Sequence, residues 1–101
     1  MTQEPVQQTV ADDQPLLLRL YVSGSAPNSV RAIDNARAIC EEHFAAAHIL
    51  EIIDLAHEPH RAADDAIVVT PTLLKISPAP EQRVVGNLSD AGHVLSILAG
   101  R

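Results

Sequence analysis

The residues with the greatest capacity for chemistry in this chain of 101 residues are one cysteine and five histidines. A thiol acts as a nucleophile or redox centre only where its surroundings lower its pKa. Cys40 instead belongs to an apolar stripe with three- and four-residue spacing, which predicts a helix and a buried, inert thiol. The other members of this stripe are Val30, Ile33, Ala36 and Phe44.

The histidines would bind a metal only if further ligands joined them, because zinc takes three or four protein ligands. The candidate groups are His57 and His60 with Glu58, and His43 with His48. Pro59 separates the first two histidines, and such short spacings arise often by chance. The sequence therefore predicts solvated histidines, no metal site and no cofactor.

Other catalytic motifs are missing from the sequence. Ser23-Gly24-Ser25 lacks the lysine and the spacing of a phosphate-binding loop. No G-x-S-x-G nucleophile elbow occurs, and Asp64-Asp65 is predicted to be a solvated helix end rather than an acid–base pair. These observations favour a protein that is not an enzyme.

Composition excludes several classes of partner. The net charge of −6, without a basic cluster, argues against DNA and anionic membranes. An aromatic content of 2% argues against stacking of nucleic-acid bases. The sequence shows neither an apolar run long enough to span a membrane nor a secretory signal, and a single cysteine fits a reducing compartment. We therefore expect a cytoplasmic module that binds no nucleic acid and no membrane.

Short apolar runs separated by helical patterns predict one folded domain at 16–101, preceded by a disordered tail at 1–15. The predicted strands are 16–22, 49–54, 73–76 and 83–85. A long helix runs to Phe44 with caps at Asn28 and Ser29, a short helix begins at Pro59, and Ser89 caps the last helix.

This order, βαβαββα, predicts an α/β, thioredoxin-like single domain. Thr70-Pro71-Thr72 stands where that fold has a cis-proline, so Pro71 is the structural cis-proline candidate. The usual C-x-x-C motif after the first strand is replaced by Ser23-Gly24-Ser25-Ala26-Pro27. Disulfide exchange is therefore excluded at that position.

Four segments in this order resemble the KaiB family of circadian clock proteins. They are Leu18-Arg19-Leu20-Tyr21-Val22-Ser23-Gly24 with Pro27-Asn28-Ser29-Val30-Arg31-Ala32, then Ile53-Asp54 with Pro59, then Ile67-Val68-Val69-Thr70-Pro71-Thr72-Leu73-Leu74-Lys75, and finally Arg83-Val84-Val85-Gly86-Asn87-Leu88-Ser89-Asp90. Together they span residues 16 to 98.

The resemblance implies a non-enzymatic protein that binds the N-terminal ring of the hexameric ATPase KaiC and drives its phosphorylation cycle toward dephosphorylation. Other implied partners are KaiA-like components and the sensor histidine kinase SasA, whose input domain competes for the same surface. KaiB proteins also switch folds. The C-terminal half rearranges between a tetrameric ground state and a monomeric, thioredoxin-like binding state.

Two departures from the family concern this switch. Ile97 and Ala99 align with a glycine and an aspartate in the last helix of switching members, and both are better helix formers. The chain also ends at Arg101, short of the usual C-terminal extension. We expect a fold-switching bias toward a thioredoxin-like monomer, with a tetramer only in the ground-state fold.

A third departure concerns partner binding, since Glu51 aligns with a basic residue of clock KaiB proteins and a charge reversal disfavours the same partner. The predicted partner-binding residues are Tyr21, Arg31, Glu51, Lys75 and Arg83, in a surface that also includes Thr70 and Pro71. Alanine at Lys75 and Arg83 is predicted to weaken binding without unfolding. The alternatives are a thiol-dependent reductase using Cys40, a sensor module for a histidine kinase, and a stress-response paralogue without a clock role.

Overall fold

The computed structural model describes residues 15–45 and 47–99. The predicted tail at 1–15, except Pro15, and the domain end at 100–101 lie outside the described residues. The elements are β1 (Leu16–Val22), α1 (Pro27–His43), β2 (His48–Asp54), a 3₁₀ helix (Pro59–Ala63), β3 (Thr72–Ser77), β4 (Gln82–Val85) and α2 (Ala91–Leu98). The predicted order of strands and helices is therefore confirmed.

One four-stranded sheet organises these elements in the order β2-β1-β3-β4. β1 pairs in parallel with β2, and α1 makes the crossover that parallel neighbours require. β3 pairs antiparallel with β1 and with β4. Since β1 and β3 are both central, their side chains are buried on both faces of the sheet.

The two faces of the sheet differ in what covers them. Leu18 and Leu20 lie in the main apolar core, which also contains buried residues of α1 and α2. Alternate residues of β1, such as Tyr21, point to the opposite face. There Tyr21 packs with Ile53 and Ile67 in a separate small cluster. The protein therefore has a large core under the helices and a minor core on the other side.

The start of α1 differs from the prediction. Pro27 is the first helical residue and Ala26 is the N-cap, without a side-chain hydrogen bond to the helix. Ser29 is not a cap but a buried residue of the first turn, and its Oγ accepts a 3.0 Å hydrogen bond from the Ser23 N–H. Pro27 sets this start because its fixed φ suits the first turn, where no N–H is needed.

Two further predictions need correction: the apolar stripe of α1 and the N-cap of α2. Ala36 and Cys40 are buried in α1, as expected, but Ala32 and Ile39 are buried without having been predicted, and Val30 is 44% exposed. α2 is capped by Asp90, whose carboxylate accepts from the His93 N–H at 3.1 Å. The Ser89 N–H instead donates to the side chain of Asn87.

Candidate partner-binding surface

The carboxyl end of β1 leads into the loop that would hold redox cysteines in this fold. Gly24 has a φ of +55°, a conformation that glycine adopts without strain. Its N–H donates to Asp54 Oδ1 at 2.8 Å, and the Ala56 N–H donates to the same oxygen at 2.9 Å. These two hydrogen bonds are the main cause that lowers the pKa of Asp54. Asp54 therefore fixes the loop, and no thiol lies in it.

The only cysteine of the chain lies elsewhere, near the end of α1. Cys40 is buried, as predicted. Burial, followed by the charge of Glu41, raises the pKa of its thiol. A buried, protonated thiol is a poor nucleophile, so the geometry gives no support to a reductase that uses Cys40.

The segment before β3 lies beside this loop, because Thr72 pairs with Tyr21 at the end of β1. The Thr70–Pro71 peptide bond is cis. The Pro71 carbonyl accepts from the Gly86 N–H at 2.9 Å, and Thr72 Oγ1 donates to the Val69 carbonyl at 2.8 Å. The two loops on either side of the β3–β4 pair are thus joined.

Three exposed valines lie at the end of the sheet where β3 begins and β4 finishes. Val68 is 91% exposed, Val69 47% and Val85 63%. Val85 pairs with Thr72, which places it next to the Val69 loop. Apolar side chains grouped at the surface mark interaction sites more often than scattered ones do. We call this group, together with Val30 in the first turns of α1, the valine end.

Contacts between asparagines bring the start of α1 to the same end. Asn35 Nδ2 donates to the Asn87 carbonyl at 2.8 Å, and Asn87 Nδ2 donates to Asn28 Oδ1 at 3.4 Å. Asn87 follows β4 by two residues, so α1 and the end of β4 are linked directly. Val30 therefore belongs to the same end of the molecule as Val85.

Two of the predicted binding residues, Arg31 and Arg83, flank the valine end. Arg31 is exposed and donates to Asn28 Oδ1 at 3.3 Å. Arg83 is exposed and donates to the main-chain carbonyls of Asp65 and Ala66. Among residues 15–45 and 47–99, neither guanidinium forms an ion pair. Each therefore offers a positive charge to a carboxylate of a partner, although both already form hydrogen bonds within the chain.

Two predicted partner-binding residues, Tyr21 and Lys75, are buried in this structure, so neither side chain is accessible to a partner in this fold. Tyr21 points to the minor core, where its hydroxyl donates to Asp65 Oδ2 at 2.6 Å. Lys75 lies in a central strand, opposite Leu18 of β1. Alanine at Lys75 would remove a buried side chain, so we expect this change to destabilise the fold as well as to affect binding.

Glu51, the fifth predicted binding residue, belongs to an ion cluster away from the valine end. Arg19 Nε donates to its Oε1 at 3.0 Å, and Arg61 Nη2 lies 3.4 Å from its Oε2. Arg19 Nη1 also donates to Asp65 Oδ2 at 3.0 Å. The hydrogen bonds that Arg19 donates, to Asp65 first and to Glu51 second, raise its pKa. The Glu51 carboxylate is therefore already ion-paired with two arginines of its own chain.

Asp65 was predicted to be solvated at a helix end, and that prediction is wrong. Its side chain is 16% exposed and accepts from both Tyr21 and Arg19. Burial acts to raise its pKa, but these hydrogen bonds and the charges of Arg19 and Arg83 outweigh it and lower the pKa. The alternation along β1 is the signal that indicates this cluster, since Arg19 and Tyr21 must share a face.

Neither a metal site nor a membrane span is found in the described part of the chain. Residues 15–45 and 47–99 contain no group of three or more histidine, cysteine, aspartate or glutamate side chains placed to hold a metal. His57 is exposed and contacts Asp54, at 3.1 Å. Within the same ranges, no helix is long and apolar enough to cross a bilayer.

Comparison with known proteins places this geometry in a family. Residues 19–99 match the KaiB domain. The circadian clock oscillator protein KaiB of Prochlorococcus marinus (strain MIT 9312) is 46% identical over 79 residues, which cover 78% of this chain and 75% of that protein. KaiB of Synechococcus sp. (strain RCC307) is also 46% identical over 79 residues, covering 78% of this chain and 72% of that protein.

Solved structures support the same assignment. The N-terminal domain of Synechococcus elongatus SasA superposes with a TM-score of 0.69 and 32% identity, covering 87% of each chain. Chloroplastic thioredoxin z superposes with a TM-score of 0.69 at 18% identity, covering 97% of this chain and 88% of that one, which shows the fold alone. The domain is thioredoxin-like, and the chain belongs to the KaiB family.

Proposed function

We propose that this chain is a non-enzymatic, cytoplasmic regulator that binds a KaiC-type hexameric ATPase through the valine end and modulates its phosphorylation cycle. The observation that carries the proposal is the group of exposed valines at Val68, Val69 and Val85, in a chain of the KaiB family. Exposed apolar side chains gain free energy when a partner covers them. The valine end is therefore the surface with the most to gain from docking.

Arg31 and Arg83 give this surface a preference for one kind of partner. The chain carries a net charge of −6, yet these two cations flank the valines without an ion pair in the described residues. Complementary charge at the rim of an interface guides association and selects partners. We infer a partner surface that offers aliphatic side chains beside one or more carboxylates.

The negative charge and the ion pairs of Glu51 favour a divergent ATPase as the partner. The resemblance to the KaiB family implies a basic residue at this position in clock members, whereas Glu51 is ion-paired with Arg19 and Arg61 of its own chain. A partner that evolved to meet a cation there would face a carboxylate already neutralised by two arginines. The interface should therefore depend on the valine end more than on β2.

The state that binds is the thioredoxin-like monomer in this proposal. Ile97 packs against the main core, and Ala99 closes α2 with its N–H hydrogen-bonded to the Leu95 carbonyl at 2.9 Å. Both residues therefore suit the helix as it stands here. The ground-state fold, with its tetramer, would be a minor species, and the capacity to switch would be weak.

A second candidate function is binding as a sensor-type module in a histidine kinase pathway. The observation that favours it is the similarity to the N-terminal domain of SasA, at 32% identity and a TM-score of 0.69. In this alternative the same surface would contact kinase components instead of the ATPase. The stress-response alternative has no observation in its favour.

Size-exclusion chromatography with a KaiC-type ATPase from the same cell, first with ATP and then with ADP, tests the proposal. We expect co-elution for the native chain and its loss for Val68→Asp, because a buried charge would oppose docking. Val68 is 91% exposed, so the substitution should leave the fold intact.

Glu81→Gln is the matched control, since Glu81 is exposed and forms no ion pair in the described residues. It should co-elute like the native chain. Equal binding by Val68→Asp would remove the valine end from the interface. The absence of co-elution in either nucleotide, from a well-folded monomer, would reject the ATPase as partner and leave the kinase alternative.

A further inference from the structure

The minor core is covered by a short segment that contributes few apolar contacts. We call residues 57–67 the cover. Its 3₁₀ helix, Pro59–Ala63, contains no buried residue. The minor core consists of three buried residues, Tyr21, Ile53 and Ile67, with Leu55 and Ala62 packed beside them. Burial of apolar side chains is what holds most elements to the rest of a protein. The cover buries few of them, so other interactions must hold it on the sheet.

Backbone hydrogen bonds attach the start of the cover, where the His57 and Glu58 N–H groups donate to the Asp54 carbonyl at the end of β2, both at 3.0 Å. The backbone hydrogen bonds further along the segment do not reach the sheet. The Arg61 N–H donates to Glu58, the Asp64 N–H to Arg61 and the Ile67 N–H to Ala62, with lengths between 2.8 and 3.1 Å. All these partners lie within the cover itself. The cover is thus a locally bonded unit that lies against the sheet without joining its ladder.

Side chains make the rest of the connection. Arg83 of β4 donates to the carbonyls of Asp65 and Ala66, and the Tyr21 hydroxyl donates to Asp65 Oδ2. Charged pairs add to these hydrogen bonds. On the sheet, Arg19 of β1 and Glu51 of β2 contact each other at 3.0 Å. On the cover, Asp65 contacts Arg19 at 3.0 Å and Arg61 contacts Glu51 at 3.4 Å. The four charges alternate in sign, and the side chains of Asp65 and Arg61 are only 16% and 25% exposed. Such partly shielded pairs are screened less by salt than fully exposed ones.

We propose that Arg19, Glu51, Arg61 and Asp65 form a charge latch that holds the cover on the sheet, and that the cover opens as a unit while the main core stays folded. Local opening of this kind is expected where a segment has few buried apolar contacts. Opening would expose Tyr21, Ile53 and Ile67, and with them an apolar face of the sheet. This inference goes beyond the proposed function and needs no partner.

Glu51 is the residue whose change tests the latch most cleanly. Its side chain is 44% exposed, and glutamine preserves its shape while removing the charge that both arginines contact. Loss of a partly exposed charge partner should favour opening by about 3-fold. Native-state hydrogen exchange, followed by NMR, reads this opening at individual amides. The informative amides are those of Asp64 and Ile67 in the cover and of Leu18 and Leu20 in β1.

For Glu51→Gln we expect exchange about 3-fold faster at Asp64 and Ile67, with Leu18 and Leu20 unchanged. Tyr21 gives an independent reading, because it is the only tyrosine and the chain has no tryptophan. Its fluorescence should become more accessible to a neutral quencher. Arg61→Gln should give the same pattern, whereas Glu81→Gln should behave like the native chain.

Two results would overturn the latch. Exchange that rises equally in the cover and in β1 would mean that Glu51 acts on global stability. Exchange that stays at the level of Glu81→Gln, in both Glu51→Gln and Arg61→Gln, would mean that the ion cluster does not hold the cover. Neither result bears on binding of the ATPase, which is measured separately.

Discussion

The hydroxyl of Tyr21 donates a 2.6 Å hydrogen bond to Asp65 from a fully buried position. Burial first, and the hydrogen bond to Asp65 second, raise the pKa of Tyr21 from 10.0 to about 12. Asp65 shifts in the opposite direction, because the hydrogen bonds it accepts outweigh the effect of its burial. The pair therefore stabilises the fold in its ordinary ionisation state, a neutral phenol beside a carboxylate.

The sign of each shift fixes the pH range of this contribution. The Tyr21 pKa is raised on folding, so its contribution is fully present below pH 10.0 and is lost as the pH rises through about 12. The Asp65 pKa is lowered, so its contribution is present above the unfolded value of 3.8 and is lost as the pH falls through the folded pKa. Stability from this pair should be constant at neutral pH.

Asp65→Asn should lower the pKa of Tyr21. The Asp65 carboxylate accepts a hydrogen bond from the neutral phenol and repels the phenolate. A neutral asparagine removes this repulsion, so Tyr21 ionises more easily. Burial remains, and the pKa should therefore fall below about 12 but stay above 10.0. The ultraviolet absorbance of the phenolate reports this directly, since Tyr21 is the only tyrosine. An unchanged titration midpoint would show that Asp65 does not govern the ionisation of Tyr21.

At the scale of elements, apolar runs predicted the order of strands and helices, because each run has the length and the flanking turns of its element. The start of α1 was misplaced because Pro27, rather than a serine or asparagine cap, sets the first turn. The shift places Ser29 inside and leaves Val30 exposed at the valine end. That surface could not be predicted from spacing alone.

The ion cluster could not be predicted from the sequence for a different reason. Glu51 and Asp65 are 14 positions apart in the sequence, and only the packing of the cover on the sheet brings both to Arg19. Alternation along β1 indicates that Arg19 and Tyr21 share a face, but no local pattern identifies Asp65 as their partner. Asp65 therefore resembled any charged residue at a helix end, although its neighbours make it a structural residue.

α2 is the element whose sequence bears most directly on the fold-switching proposal. Ile97 is half-buried and packs on the main core, while Ala99 is the C-cap residue. Replacing Ile97 with glycine costs about 0.5 kcal/mol in helix propensity, in addition to the lost packing. The aligned family residues should therefore weaken this helix and raise the population of the alternative fold.

The double variant Ile97→Gly with Ala99→Asp should show a second set of NMR signals, in which residues 57–65 have strand-like chemical shifts. The native chain should show helix-like shifts at Pro59–Ala63, where the 3₁₀ helix lies. Ser96→Gly is the control for helix propensity, because Ser96 is an exposed residue of the same helix and its hydroxyl donates a local hydrogen bond, to the His93 carbonyl at 2.7 Å. Strand-like shifts for residues 57–65 in the native chain would refute the proposed bias.

At the scale of the whole molecule, the proposed docking surface and the charge latch occupy different places. The valine end lies where β1 and β2 finish and β3 begins, whereas the latch lies on the face of the sheet opposite the helices. Arg83 links them, because it flanks the valines and also donates to the carbonyls of Asp65 and Ala66. A partner that engages Arg83 would therefore act on the cover as well.

The measurement that tests the central claim most directly is a hydrogen-exchange footprint of the chain bound to the KaiC-type ATPase. Binding through the valine end predicts protection in residues 67–71 and 85–87 and in the first turns of α1, with little change in β2. Protection confined to β2 (His48–Asp54), with residues 67–71 unchanged, would contradict the account and move the interface to the opposite edge of the sheet.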